Sequence, residues 1–365
     1  MRVCDWIARR LHDVGVKNVH GLMGGGASGL NDGFIKHGAI NYICFHHEQG
    51  AGHAATAESK VTGRLSVVNP TTGCGGTNCI TSVLNAWQDG VPVLFISGNV
   101  RTEHCSRHIN ATRNVRIRKF GIQEHDIIET VRSMTKYAAF VDSPRHIASE
   151  LEKAIKLAVS GRPGPVWIDI PADVQVSQMP KFTNGDPAFA DADGYPLLVI
   201  NGANGNGITA YNAREHWFAQ RAIAALEGSE RPIILAGQGI KQSNTVDEFR
   251  WFIEHFRVPY VSTYGARDIV PYDHPLNIGA IGIKGSRAGN FAMQSCDTIL
   301  VLGSSVNASH TGYDPGQWTP LARTRLVLDI DADEMHKGTT RWDLTVQGDL
   351  RGFFAAARSI ADDQG

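Results

Sequence analysis

Apolar residues at helical spacing open the chain. Val3, Ile7, Leu11 and Val14 fall on one face of a helix, and Gly15 is a typical residue at a helix C-terminus. We therefore expect the chain to begin with an amphipathic helix.

Short apolar runs alternate with helical segments through the first half of the chain. These runs predict strands over residues 16–22, 40–45, 65–68, 91–97 and 165–170. A glycine-rich turn over 24–29 opens a second helix, and a helix rich in small residues over 51–61 ends at Gly63. Because strands that alternate with helices form parallel sheets, this half predicts a doubly wound α/β domain whose strands are buried apolar runs.

The periodicity is lost after residue 180, and a second α/β pattern follows. Its predicted strands cover 232–236, 259–263, 298–302 and 325–330, with a helix over 246–256. The sequence therefore predicts two α/β domains, 1–180 and 213–365, joined by a linker over 181–212.

Composition narrows the functional class. The 35 Lys and Arg residues and 36 Asp and Glu residues give a formal net charge of −1, which argues against a nucleic-acid or membrane-surface protein. The six cysteines form no C-x-x-C pair, so we expect neither a disulfide scaffold nor a Cys-rich zinc site. Neither a signal peptide nor a membrane-spanning apolar run is recognisable, and we expect a cytoplasmic protein.

Glu48 is the most informative residue of the first half. It follows an apolar strand and precedes a helix rich in Gly and Ala, at the strand edge where doubly wound sheets bind ligands. A carboxylate there suits a group that shares a proton with a ligand nitrogen. The alternative is a solvated carboxylate at a helix start, satisfied by backbone N–H groups.

Several segments in order along nearly the whole chain match one family pattern. In the first half they are 47–55 with Thr62-Gly63, 71–78, 86–92, 96–99, 120–124 and 161–166, and in the second half they are 303–307 and 329–331. The first set resembles motifs of the acetolactate synthase-like group of thiamine diphosphate enzymes, and the second set resembles the central domain of that group. The 71–78 loop and the Gln123 segment look closest to its sugar and lipopolysaccharide biosynthesis branch.

The resemblance implies a pyrimidine-binding domain followed by a Rossmann-like central domain, with thiamine diphosphate as cofactor. It implies that Glu48 hydrogen-bonds the pyrimidine ring and that Gln123 takes part in catalysis. Gly24, Cys74 and Asn78 are the further cofactor-binding residues that it implies. The expected reaction is decarboxylation of a 2-oxo acid such as pyruvate with carboligation to an aldehyde or a keto sugar, carried out by a homodimer or with a partner chain.

Three departures from the family pattern change these expectations. Cys74 stands where the family usually has proline, and we expect a buried, inert cysteine there. Ser305 stands where many relatives have arginine, which argues against FAD. The Gly-Asp-Gly motif of the diphosphate- and Mg²⁺-binding domain is not found. We therefore expect no metal ligand in this chain and a C-terminal domain supplied from elsewhere.

Two other interpretations stay open at this point. The turn Gly24-Gly25-Gly26-Ala27-Ser28-Gly29 satisfies G-x-G-x-x-G, and Glu48 lies where a dinucleotide-binding fold places its ribose carboxylate. That pattern would indicate an NAD-dependent oxidoreductase. A non-catalytic or truncated relative that keeps the fold is the other alternative.

Overall fold

Two compact units make up the protein, each built around its own six-stranded sheet. The computed structural model describes residues 1–180, 212–312, 314–331, 333 and 341–364. The expected linker lies outside the described residues, apart from its final position, so its bounds stay a prediction.

The described part of the first unit alternates strands with helices. Its strands are β1 (Asn18–Gly21), β2 (Asn41–Cys44), β3 (Ser66–Asn69), β4 (Val93–Asn99), β5 (Tyr137–Phe140) and β6 (Val166–Pro171). Its helices are α1 (Val3–Asp13), α2 (Ser28–His37), α3 (Glu48–Thr62), α4 (Cys74–Thr77), α5 (Ile80–Gln88), α6 (Ser106–Arg113), α7 (Ile127–Val131), α8 (Ile147–Val159) and α9 (Ala172–Val176).

All strand pairs of the first sheet are parallel, in the order β2-β1-β3-β4-β6-β5. The chain runs outward from β1 to β2 and then returns to place β3 on the other side of β1. The strand order thus reverses between β1 and β3, and open α/β sheets bind their ligands at the carboxyl ends of the strands beside such a reversal. The topology therefore points to the loops that follow β1, β2 and β3.

Apolar side chains cover both faces of the first sheet. One cluster packs around Leu11, Phe34 and Ile168, and another contains Phe95 and Trp167. The rings of Phe95 and Trp167 stack with centroids 5.0 Å apart. Every residue of the central strand β4 is buried, as expected for a strand covered by helices on both faces.

The second unit repeats this architecture. Its strands are β7 (Pro232–Ala236), β8 (Tyr260–Ser262), β9 (Asn277–Ala280), β10 (Thr298–Leu302), β11 (Thr324–Asp329) and β12 (Leu344–Gln347). Within the described residues of this unit the helices are α10 (Ala213–Glu227), α11 (Gly239–Gln242), α12 (Val246–Phe256), α13 (Arg287–Ser295), α14 (Ala308–Thr311) and α15 (Leu350–Gln364). The sheet is parallel, in the order β12-β11-β10-β7-β8-β9, and apolar clusters cover both faces.

The expected fold class, two doubly wound parallel α/β domains, is confirmed by these two sheets. One detail differs: β2 was expected to be a buried strand, but it lies at the sheet edge and three of its four residues are exposed. An edge strand pairs on one side only, which explains why the apolar run Tyr42-Ile43-Cys44 is not enclosed here.

No helix within the described ranges is long and apolar enough to cross a membrane. All six cysteines are free thiols.

Candidate functional site

Three loops meet at the carboxyl edge of the first sheet. Gly24 follows β1, Glu48 follows β2, and the loop over 71–78 follows β3. Since these strands are parallel neighbours, their carboxyl ends lie at one edge, on the two sides of the reversal in strand order. The topology thus brings the predicted cofactor-binding residues to one place.

Glu48 is a buried carboxylate with one oxygen held and one available. It is the first residue of α3 and is 5% exposed. The Asn78 side-chain Nδ2 donates a hydrogen bond to Glu48 Oε2 over 2.9 Å. Glu48 Oε1 accepts no hydrogen bond from any residue that the structure describes. Because the Asn78 amide fixes the carboxylate, the second oxygen is left as a fixed acceptor at the sheet edge.

The loop after β3 approaches Glu48 closely. A Cβ on Gly75 would stand 3.0 Å from Glu48 Oε1 and 2.6 Å from the Thr71 methyl carbon. Only a residue without a side chain leaves space beside the carboxylate here. The short helix α4 begins at Cys74, which is exposed. The expectation of a buried cysteine was therefore wrong. Cys74 begins the short helix α4, and its side chain is exposed there instead of packed in the core.

Gly24 and Gly26 pack against the loop after β3. A Cβ on Gly24 would meet the Thr71 side chain at 2.5 Å, and a Cβ on Gly26 would meet Thr72 Oγ1 at 1.6 Å. The space beside these glycines is thus filled by protein side chains. A dinucleotide-binding turn needs its glycines for the approach of a pyrophosphate, so this packing weakens the NAD interpretation.

Gln123 reaches the same loop through its backbone. It is exposed and has a φ of 58°, an unusual conformation for a residue with a side chain. Its carbonyl oxygen would lie 1.8 Å from a Cβ on Gly73, whose φ is also 58°. The structure therefore brings the Gln123 backbone against Gly73, one residue from Cys74.

A buried carboxylate that sequence reasoning did not single out holds the Gln123 segment. Glu124 is 5% exposed and accepts hydrogen bonds from Ser106 Oγ at 3.0 Å and from the Phe120 backbone N–H at 2.9 Å. These bonds tie the segment before Gln123 to α6. The signal was present in the sequence, since Glu124 stands directly beside Gln123, but its burial is a tertiary property.

Asp169 is a second buried carboxylate that the sequence analysis missed. It lies on β6 and accepts hydrogen bonds from Ser97 Oγ at 2.6 Å and Asn99 Nδ2 at 2.7 Å. Burial raises the pKa of Asp169 to about 7, against the lowering effect of these two hydrogen bonds. An aspartate inside the apolar run Trp167-Ile168-Asp169-Ile170 was the available signal.

Gln175 stabilises the Gly24 turn through hydrogen bonds from its side-chain amide. Its fully buried amide donates to the carbonyls of Gly26 and Ile170, each at 2.7 Å, and accepts from the Leu30 backbone N–H at 3.2 Å. The amide thereby joins the end of the turn to the first turn of α2. This side chain also lay outside the sequence prediction.

Within the part of the chain that the structure describes, no group of three or more His, Cys, Asp or Glu side chains is arranged to hold a metal ion.

Two models of known protein families match this chain. Residues 1–130 match the model of the thiamine pyrophosphate enzyme N-terminal TPP binding domain, and residues 219–357 match that of the central domain. The chain carries two domains of the thiamine pyrophosphate enzyme family. The Gly24 turn, Glu48 and the 71–78 loop all fall within the matched TPP-binding domain.

Acetolactate synthases are among the curated relatives of this chain. The chain is 30% identical to a probable acetolactate synthase large subunit of Methanocaldococcus jannaschii, covering 96% of this chain and 54% of the relative. It is 31% identical to the acetolactate synthase large subunit of Lactococcus lactis, covering 94% and 55%. For the isozyme 2 large subunit of Escherichia coli the identity is 29%, covering 98% and 58%. The chain thus spans about half the length of the curated relatives that it matches.

Proposed function

We propose that this chain forms the pyrimidine-side part of a thiamine diphosphate-dependent, acetolactate synthase-like enzyme. The proposed reaction decarboxylates a 2-oxo acid such as pyruvate and ligates the remaining fragment to a second carbonyl compound. One observation carries the proposal: the buried Glu48 carboxylate, fixed by Asn78 through one oxygen, with its other oxygen available at the reversal in strand order.

The residues at this edge fit an aromatic nitrogen heterocycle. Glu48 Oε1 is an acceptor without a partner among the described residues, and the missing side chain of Gly75 leaves space next to it. A carboxylate in such a place favours a protonated ring nitrogen, because a charge-assisted hydrogen bond in a dry site is stronger than one in water. When bound, thiamine diphosphate supplies the carbon nucleophile and the electron sink for decarboxylation.

The chain's own residues then have separate roles. Glu48 holds a proton shared with the ring nitrogen, and Asn78 keeps the Glu48 carboxylate oriented. Cys74 and the Gly24 turn line the pyrimidine pocket. The Gln123 amide, which can donate and accept, binds and orients the 2-oxo acid. These roles agree with a loop in which the Gln123 backbone contacts Gly73.

The remaining parts of the proposal concern the cofactor diphosphate, Mg²⁺, the assembly and FAD. We propose that Mg²⁺ and the cofactor diphosphate are bound by residues outside these 365, and that the active assembly is a homodimer or includes a partner chain. FAD is not part of the proposal, because Ser305 offers no guanidinium for its phosphates. Homology to acetolactate synthase large subunits at about 30% identity supports pyruvate as the donor.

Turnover with pyruvate tests this proposal. The assembled enzyme, supplied with thiamine diphosphate, Mg²⁺ and pyruvate, should release CO₂ and form a ligated product, both of which can be followed by mass spectrometry with ¹³C-labelled pyruvate. Release of CO₂ without ligation would confirm the donor but reject carboligation. Cofactor binding without any CO₂ release from pyruvate or other 2-oxo acids would favour the non-catalytic interpretation.

A further inference from the structure

A stretch of unpaired positive charge precedes Gln123. The seven residues from Arg113, the last residue of α6, to Lys119 form a segment that we call the basic loop. Its four cations are all exposed: Arg113, Arg116, Arg118 and Lys119. The basic loop contains no Asp or Glu. None of its four cations makes an ion pair or side-chain hydrogen bond to another residue in the described part of the chain.

Neighbouring arginines of the same unit are paired, which makes this charge unusual. Arg107 contacts Asp126 at 2.8 Å and Glu129 at 3.2 Å, and Arg132 contacts Glu129 at 2.6 Å. The chain as a whole has a formal net charge of −1. The arginines around the basic loop are therefore paired with carboxylates, whereas the four cations within it are not.

The backbone of the basic loop is held in place. The Asn110 side chain accepts a hydrogen bond from the Ile117 N–H at 2.8 Å and donates one to the Ile117 carbonyl at 3.2 Å. Just beyond the loop, the Phe120 N–H donates to the buried Glu124. A segment fixed at both of these points presents its cations in a defined region, at a smaller entropic cost on binding than a free tail.

The basic loop is also close to the candidate site. Lys119 is four residues from Gln123, so their Cα atoms are at most about 14 Å apart. The Gln123 carbonyl in turn packs against Gly73, beside Cys74. Lys119, the cation nearest to Gln123 in sequence, is therefore within reach of an extended ligand that is bound at Gln123.

We propose that the basic loop binds the diphosphate group of an organic ligand, and that this ligand is the acceptor substrate of the carboligation. Charge decides the ligand class, because one cation is enough for the single carboxylate of a 2-oxo acid. Four unpaired cations match a group with several negative charges, and guanidinium binds phosphate oxygens in a bidentate way. The role as acceptor rests on the proposed function, but diphosphate binding does not.

Equilibrium binding of two probes tests this inference without any turnover. Uridine diphosphate represents a diphosphate-bearing acceptor, and thiamine diphosphate represents the cofactor, the other source of the same group. Each is titrated calorimetrically at low ionic strength, where charge interactions are least screened. The test variant is the double substitution Arg116→Gln and Arg118→Gln. The control is Arg9→Gln with Arg64→Gln, which removes two exposed cations from α1 and from the amino end of β3.

The proposal predicts that the test variant binds uridine diphosphate at least about tenfold more weakly, because each charge-assisted hydrogen bond contributes on that order. Thiamine diphosphate affinity and the control variant should be unchanged. Weaker binding of thiamine diphosphate alone would assign the basic loop to the cofactor and overturn the acceptor role. If neither variant changed the affinity of the protein for either probe, the basic loop would not be a diphosphate-binding site.

Discussion

At the residue scale, the site depends on how two buried carboxylates are partnered. Glu48 keeps one oxygen available, whereas Asp169 has a donor on each oxygen, Ser97 on one and Asn99 on the other. Within the described residues, one carboxylate thus keeps an acceptor available at the sheet edge, whereas the other is bonded through both oxygens inside the sheet. Asn99 also donates to the His125 carbonyl at 3.4 Å, which links Asp169 to the segment that carries Gln123.

Asp169 gives the stability of the first unit a pH dependence. Its pKa is about 7 when folded and near its ordinary value of 3.8 when unfolded. Between these values the folded state binds more protons than the unfolded state, so the free energy of unfolding falls as the pH rises from about 4 to 7. Urea unfolding across this range should show a smaller fall for Asp169→Asn than for the wild type.

The exposed Asp142 provides the control for this measurement. Asp142→Asn should keep the wild-type slope of unfolding free energy against pH. If Asp169→Asn and Asp142→Asn gave the same slope as the wild type, Asp169 would be ionised in the folded state and the burial argument would be wrong.

At the element scale, the loop between β3 and α5 combines backbone strain with close packing. Gly73 and Gly161 have φ values of 58° and 56°, which disfavour any side chain. A Cβ on Gly161 would meet nothing within 4 Å, whereas one on Gly73 would lie 1.8 Å from the Gln123 carbonyl. Both substitutions carry the cost of a positive φ, but only Gly73→Ala adds contact with the Gln123 segment. The ψ of Gly73 is −111°, outside the left-handed helical region, which raises the backbone cost at this position further.

We predict that Gly161→Ala lowers the unfolding free energy by about 1–2 kcal/mol, the cost of a left-handed conformation. Gly73→Ala should cost more and should also weaken thiamine diphosphate binding, since the Gln123 segment must move. Urea unfolding and calorimetric titration measure the two effects. Equal destabilisation by both substitutions would mean that Gly73 and Gln123 are not in contact.

Elements with a strong apolar pattern could be predicted from the sequence, and weakly patterned ones could not. The predicted strands over 232–236 and 298–302 and the helix over 246–256 coincide with β7, β10 and α12. The strands β5, β9 and β12 were missed, and none of these three is fully buried along its length. An outer strand needs less apolar surface than a central one, so its sequence carries less signal.

The residues of the candidate site that belong to a sequence motif could be predicted. The residues that support the site through buried contacts could not. Glu48 stands out because a lone carboxylate follows an apolar run. Its contact with Asn78 joins the loops after β2 and β3, the two parallel strands on either side of β1. Glu124 and Gln175 support the site through contacts 18 and 145 residues away in sequence. No local pattern encodes a partner at that separation, because it is set by the packing of the whole unit.

At the scale of the whole molecule, the described chain contains two sheets with different assignments. The unit with the first sheet carries the candidate site, and the unit with the second sheet matches the central domain. Under the proposed function the pyrimidine-side contacts come from the first unit, and the diphosphate contacts come from outside these residues. The negative charge of the cofactor is on its diphosphate, a group that Mg²⁺ and charge-assisted hydrogen bonds hold.

We therefore predict that the 365-residue chain by itself binds thiamine diphosphate and Mg²⁺ at least about tenfold more weakly than an assembly with a diphosphate-binding domain. Calorimetric titration of each measures the difference. Equal affinities would place a complete diphosphate site within this chain and reject the division of labour proposed above.

The most direct test of the central claim is the exchange of the thiamine C2 proton for deuterium, followed by NMR in the assembled enzyme. If Glu48 activates the cofactor, Glu48→Gln should slow this exchange by several orders of magnitude while cofactor binding persists. The exposed carboxylate variant Glu129→Gln should exchange at the wild-type rate. Wild-type exchange in Glu48→Gln, with the cofactor bound, would contradict the assignment of Glu48 and with it the function proposed for this site.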